Sequence, residues 1–221
     1  MKQRLFEKYL AECPVVAILR GITPAEVPSV CDCLFENGIR LLEIPLNTPQ
    51  AAKSIATAVR HCSERQMVGA GTVLTPCQVR EVQAAGAQFV ISPNADTEVI
   101  HETIRHGMLS MPGFLTPTEA LAALAAGAHY LKLFPAANFG VGYVRNIQAV
   151  VKAPIFAVGG VTHQNLAEFL TVCKGVGVGG NLYKPGKSLE DIRRDADGFF
   201  RIATSAFEKN SFVKSFGLVP R

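Results

Sequence analysis

Short runs of aliphatic and β-branched residues alternate along the chain with longer stretches whose apolar positions recur every three to four residues. This spacing predicts strands over 15–19, 41–46, 67–70, 89–92, 109–112, 130–134, 155–158 and 176–179. It predicts helices over 24–37, 49–62, 76–85, 97–106, 117–126, 141–151, 163–173 and 188–207, and a leading cap helix over 2–12. Gly38, Gly86, Gly107 and Gly127 fall just past four of these helices, where a left-handed closing residue is favoured. Thr23-Pro24, Thr75-Pro76 and Thr116-Pro117 open three of them, with an oxygen to cap the first turn and a ring suited to it.

The strands are apolar on both faces, which implies a parallel sheet covered on both sides. Eight strand–helix units of about 23 residues, without a linker, point to an α/β fold, a single (β/α)8 TIM barrel with an N-terminal cap helix. The alternative, an open doubly wound sheet, commonly has about five or six strands. The barrel domain is expected over residues 1–217. Leu218-Val219-Pro220-Arg221 resemble the remnant of an engineered protease site and are set aside.

Composition narrows the function classes. Hydrophobic residues make up 48% and charged residues 18% of the 221, too apolar for disorder. The net charge of +4 is scattered, with no basic tract for nucleic acid or a membrane surface. No apolar run reaches the roughly 18–20 residues of a membrane span, and the charged start does not read as a signal peptide. Six dispersed cysteines without ligand spacing fit a reducing cytoplasm. The five histidines show no metal-ligand pattern with a carboxylate, and no metal or other cofactor is expected.

Two ionisable residues fall inside predicted strands, Glu43 in the second and Lys132 in the sixth, while Arg20 ends the first. Strand side chains alternate, so in Tyr130-Leu131-Lys132-Leu133-Phe134 the leucines face the helices and Lys132 points into the barrel; the same logic turns Glu43 inward. Burial disfavours an ammonium and makes a neutral amine available. Such an amine adds to carbonyls to form a Schiff base, and a nearby carboxylate can relay the protons. A purely structural ion pair is the competing reading.

Glycines cluster after the last two strands, at Gly159-Gly160 and from Gly177 to Gly180, where barrels of this class often hold a phosphate on backbone N–H groups. Gly175-x-Gly177-x-x-Gly180 also spells a dinucleotide fingerprint, but it lies within a strand and no further βαβ unit follows it.

Several segments together resemble the bacterial 2-keto-3-deoxy-6-phosphogluconate and -phosphogalactonate aldolases. They are Val16-Ala17-Ile18-Leu19-Arg20-Gly21, Glu43-Ile44-Pro45-Leu46-Asn47-Thr48, Gly69-Ala70-Gly71-Thr72-Val73, Ile91-Ser92-Pro93-Asn94, Lys132-Leu133-Phe134-Pro135 and Phe156-Ala157-Val158-Gly159-Gly160-Val161. The resemblance implies a class I aldolase, typically a cytoplasmic homotrimer, that cleaves a phosphorylated 2-keto-3-deoxy sugar acid to pyruvate and glyceraldehyde 3-phosphate. It places the Schiff base on Lys132 and the proton relay on Glu43. Thr72 would hold the pyruvate carboxylate, Pro93 and Phe134 would flank the imine, and Gly159, Gly160, Gly179, Gly180 and Asn181 would bind phosphate. Gluconate-type members carry an arginine where Asn47 stands. Arg20 then supplies the carboxylate clamp, and apolar Val161 replaces a polar group near C4, as expected of the galactonate type. A gluconate or 4-hydroxy-2-oxoglutarate aldolase, a phosphosugar isomerase or epimerase, and a non-catalytic phosphate-ligand barrel are the alternatives.

Overall fold

The structure, a computed structural model, describes residues 1–215, with side chains through residue 206. The tail Leu218–Arg221 lies outside the described residues. Helix α1 (Lys2–Glu12) leads into β1 (Val15–Ile18), and strands and helices then alternate. The strands are β2 (Leu41–Pro45), β3 (Met67–Gly71), β4 (Phe89–Ile91), β5 (Leu109–Met111), β6 (Gly113–Phe114), β7 (Leu131–Leu133), β8 (Ile155–Val158) and β9 (Gly175–Val178). The helices are α2 (Val27–Glu36), α3 (Ala51–Cys62), α4 (Pro76–Ala84), α5 (Thr97–Arg105), α6 (Pro117–Ala125), α7 (Gly140–Val150), α8 (Leu166–Phe169) and α9 (Leu189–Ser215).

All strand pairs are parallel, in the order β5-β4-β3-β2-β1-β9-β8-β7-β6. The two ends of this order are halves of one segment. The sequence pattern predicts a single fifth strand over 109–112; the structure divides it at Pro112. Proline has no N–H for a ladder, so β5 pairs with β4 while β6, one residue on, pairs with β7. The Pro112 carbonyl accepts from Lys132 N–H at 2.9 Å, and the Ser110 carbonyl from Tyr130 N–H at 3.2 Å. The barrel therefore closes through the chain itself.

Alternation sorts the core into two layers. Val15, Ala17, Leu42, Ile44, Leu131, Leu133 and their equivalents pack outward against the helices. Val16, Ile18, Leu41, Met67, Phe89, Met111, Tyr130, Phe156 and Val158 fill the interior. Phe6 of α1 plugs the N-terminal end, its ring centroid 4.8 Å from that of Tyr130 and 5.5 Å from that of Phe89. A fully buried side chain of this size contributes about 1.5–3 kcal/mol. Large inward residues need small neighbours: a Cβ at Gly69 would lie 2.2 Å from the Phe89 ring.

Helix ends follow the sequence closely except in α2, α8 and α9, the last of which runs to Ser215 where the pattern predicts an end at 207. Helix α2 starts at Val27, because the Glu26 carboxylate turns back to accept from Thr23 N–H at 2.9 Å and its hydroxyl at 2.6 Å. Helix α8 spans Leu166–Phe169 where the pattern predicts 163–173. There the Asn165 amide accepts from Thr162 N–H at 2.8 Å and donates to the Gly160 carbonyl at 3.0 Å, competing with helix at its start. Among the described residues, no helix is long and apolar enough to cross a membrane.

Candidate active site

The observed strands contain two ionisable side chains, Glu43 on β2 and Lys132 on β7. On one side of the barrel three strands, β1, β9 and β8, separate them, so they converge from opposite walls. Both are inward positions in the upper half of the barrel, two residues beyond Leu41 and Tyr130 of the interior core. Glu43 is 2% exposed and Lys132 6%. No nitrogen–oxygen approach within 4.0 Å joins them as an ion pair. The Glu43 Oε2 atom is buried without a hydrogen-bond partner, and Lys132 Nζ stands 4.9 Å from the centroid of the Phe134 ring.

Burial governs the charge of both groups. Desolvation holds the Lys132 ammonium below the usual lysine range, opposed by attraction to Glu43 and reinforced by repulsion from Arg20. Desolvation pushes the Glu43 carboxyl above the usual carboxylate range, opposed by Lys132 and then Arg20. Each is moved toward neutrality, the condition in which an amine is nucleophilic and a carboxyl can exchange protons.

Both side chains line one cavity of about 570 Å³ at the C-terminal mouth of the barrel. Arg20, Thr72, Pro93 and Phe134 stand on the same cavity, and so do Gly159, Gly160, Val161, Gly179, Gly180 and Asn181. The structure thus brings together all twelve residues singled out in the sequence.

Local geometry explains how each reaches the mouth. Arg20 follows β1 and is exposed. Gly21, at φ +84°, turns the chain behind it, donates its N–H to Thr48 Oγ1 at 2.9 Å, and leaves no room for a Cβ beside Pro185. Thr72 follows β3 at φ +55°, a left-handed conformation that a β-branched residue adopts only when held. One tie is Ser92 Oγ, which donates to the Val73 carbonyl at 2.8 Å and joins the Thr72 and Pro93 loops. Phe134, just beyond β7, is 41% exposed at the mouth.

The far side is built from backbone. Among the described residues, the N–H groups of Gly160, Val161, Gly180 and Asn181 donate to no acceptor. Their neighbouring carbonyls are occupied. Gly160 O accepts from Asn165 at 3.0 Å, Val161 O from Asn181 Nδ2 at 2.7 Å, and Gly179 O from Leu182 and Tyr183 N–H at 2.8 and 2.9 Å. The Asn181 amide is thus committed to joining the two loops, and its backbone N–H is what it offers to the cavity.

Sequence reasoning missed other wall residues, Ile18, Gly21, Val158, Tyr183, Lys184 and Pro185, and had Gly177 only as part of a glycine cluster. Alternation could have found Ile18 and Val158, which share a face with Arg20 and Phe156. Nothing periodic marks Tyr183–Pro185, which lie in a loop. Among the described residues, no group of three His, Cys, Asp or Glu side chains is arranged to hold a metal ion.

The sequence model of the KDPG and KHG aldolase family matches residues 6–197. The chain belongs to this family. It is similar to the 2-dehydro-3-deoxy-6-phosphogalactonate aldolase of Escherichia coli (strain K12), at 40% identity over 204 residues, 91% of this chain and 100% of that one. A solved structure described as native KDPGal superposes with a TM-score of 0.86 at 41% identity, covering 88% of this chain and 96% of that one. The KDPG aldolase from Legionella pneumophila, described with pyruvate captured as a covalent carbinolamine intermediate, superposes with a TM-score of 0.77 at 27% identity, covering 90% and 96%. As an aldolase, the protein is a carbon–carbon lyase.

Proposed function

We propose that the protein cleaves 2-dehydro-3-deoxy-6-phosphogalactonate to pyruvate and D-glyceraldehyde 3-phosphate through a Schiff base on Lys132. The observation that carries the mechanism is the facing pair of buried, charge-shifted side chains, Lys132 and Glu43, on a single cavity. The neutral Nζ adds to the C2 ketone, and Glu43 passes a proton to the carbinolamine hydroxyl so that water leaves. The iminium then draws electrons from the C3–C4 bond while Glu43, or a water it holds, takes the C4 hydroxyl proton. The aldehyde departs, the enamine takes a proton at C3, and hydrolysis frees pyruvate and the amine.

The remaining walls suit a ligand with two anionic ends. Arg20 and Thr72 receive the carboxylate, with Pro93 and Phe134 flanking the imine. The acceptor-free N–H groups around Gly160, Val161, Gly180 and Asn181 receive the phosphate, with Gly159 and Gly179 forming the turns beside them. The carbinolamine captured in the Legionella relative supports covalent chemistry of this kind, and the phosphogalactonate relative supports the choice of sugar acid.

A cytoplasmic homotrimer completes the proposal. Five of the six free cysteines are buried, as suits a reducing compartment, and exposed Phe139 packed on Tyr143 offers apolar surface for a neighbouring subunit. Light scattering reads the oligomer.

The test of function is a coupled assay of pyruvate release from the phosphogalactonate and phosphogluconate substrates. Release from the former supports the proposal; release from neither refutes it.

A further inference from the structure

We infer that Lys187 and Asp195 are a positioning pair that aims the phosphate-binding backbone at its ligand. The inference rests on the phosphate placement proposed above and goes beyond it to residues that do not touch the ligand. The Lys187 side chain is only 9% exposed. Its Nζ lies 2.5 Å from Asp195 Oδ2 on α9, 3.0 Å from the Asn181 carbonyl and 2.8 Å from the Leu182 carbonyl. An ammonium has three protons, and these contacts use all of them.

The consequence is geometric. A trans peptide points its C=O and N–H in opposite directions. Lys187 draws the Asn181 and Leu182 carbonyls toward α9, and the N–H groups of Leu182 and Tyr183, on the other side of those same peptides, close onto Gly179 O at 2.8 and 2.9 Å. With Gly179 O held inside the turn, the Gly180 N–H is turned out of it. Gly180 and Asn181 are the turn residues left with acceptor-free N–H groups, and both line the cavity. Without the ammonium, two carbonyl oxygens lose their donor beside a site that must hold an anion. Asp195 neutralises Lys187, so the pair acts through loop geometry rather than through net charge.

The test uses Lys187→Met and, because an Asp195 left without its partner is an uncompensated charge that destabilises the fold, the apolar double variant Lys187→Leu/Asp195→Leu. Replacing a buried ion pair by packed apolar residues is often close to neutral for stability. Titration calorimetry with inorganic phosphate is expected to show binding weakened about tenfold, the scale of lost charge-assisted hydrogen bonds. KM for the phosphorylated sugar acid should rise by a similar factor while kcat changes less than about threefold. Lys187→Arg, which keeps charge and donors, should restore phosphate affinity. Borohydride trapping of pyruvate should be unaffected in every variant. Phosphate affinity unchanged in a folded variant overturns the inference, and so does equal weakening of phosphate binding and pyruvate trapping. Absence of pyruvate trapping in the unmodified protein would instead strike the aldolase mechanism, and the phosphate titration would still read the role of Lys187.

Discussion

Gly71 provides the space that the Glu43 carboxylate occupies: a Cβ at Gly71 would lie 1.7 Å from Glu43 Oε1. The two residues are on neighbouring strands, with Glu43 in register with Gly69. A bare backbone on β3 thus lets a carboxylate lie flat inside a barrel that is otherwise packed with large side chains.

Gly71→Ala is therefore expected to displace Glu43 rather than merely tighten the core. Overpacking of this kind costs about 1–3 kcal/mol, and misplacing a catalytic group by about 1 Å can cost about 10²-fold in rate. Denaturant unfolding together with kcat checks both. A folded variant with unchanged kcat would show that the position of Glu43 is not used.

Glu43→Gln should lower kcat by about 10²–10⁴-fold, the usual worth of general acid–base help. It should also move a pH limb. Lys132 must shed its proton to react, and the Glu43 charge favours the protonated form while Arg20 disfavours it. The acid limb of pyruvate trapping, lying below the usual lysine range, should move to lower pH in Glu43→Gln and to higher pH in Arg20→Ala. For stability the same shift has a definite sign. With the Lys132 pKa lower folded than unfolded, the unfolded chain binds more protons between the two values. The Lys132 contribution therefore favours folding increasingly as pH rises through that window. Denaturation of wild type and Lys132→Met across pH measures it; identical pH profiles would contradict the shift.

Thr72 holds a left-handed backbone at φ +55° beside the cavity. Such a conformation costs about 1–3 kcal/mol in a non-glycine residue, whereas glycine adopts it freely at an entropic cost of about 0.5–1 kcal/mol. Thr72→Gly should leave the melting temperature unchanged or raised while weakening pyruvate binding through loss of the hydroxyl. A variant that melts lower and binds pyruvate normally would reverse the assignment.

Much of this site is legible in the sequence because strand interiors leave little choice. A lysine or glutamate in an apolar run must be tolerated by its surroundings, and period-two alternation fixes the direction of Lys132 and Glu43. The interruption at Pro112 was less legible: in the run Leu109-Ser110-Met111-Pro112-Gly113-Phe114 the proline reads as the end of a strand, and only closure of the barrel shows the chain resuming on the other side. Thr48, Tyr183, Lys184 and Lys187 lie in loops, where no periodicity gives side-chain direction. Only the folded structure shows that Thr48 meets Gly21, that Tyr183 and Lys184 reach the cavity wall and that Lys187 meets Asp195. The shortened α8 belongs with these, since the Asn165 side chain competes locally with a pattern that otherwise reads as helix.

Substrate choice tests the mouth. The two 6-phosphates differ in configuration at C4, which the proposed pose sets near buried, apolar Val161 on the cavity wall. An apolar wall discriminates by about 1–3 kcal/mol per small group, less than a built hydroxyl contact. A moderate galactonate preference with measurable gluconate cleavage is expected from kcat/KM on both. Arg20→Ala should raise KM for both and weaken pyruvate binding by removing a charge-assisted contact. A clear gluconate preference, or normal pyruvate binding in Arg20→Ala, would contradict the placement of the clamp at Arg20.

The most direct measurement is peptide mass mapping after borohydride reduction in the presence of pyruvate. The expected result is one reduced pyruvyl group on the peptide containing Lys132, with parallel loss of activity, and no such group in Lys132→Ala. Labelling that persists undiminished in Lys132→Ala, or its absence from an active wild-type enzyme, would contradict a Schiff base on Lys132.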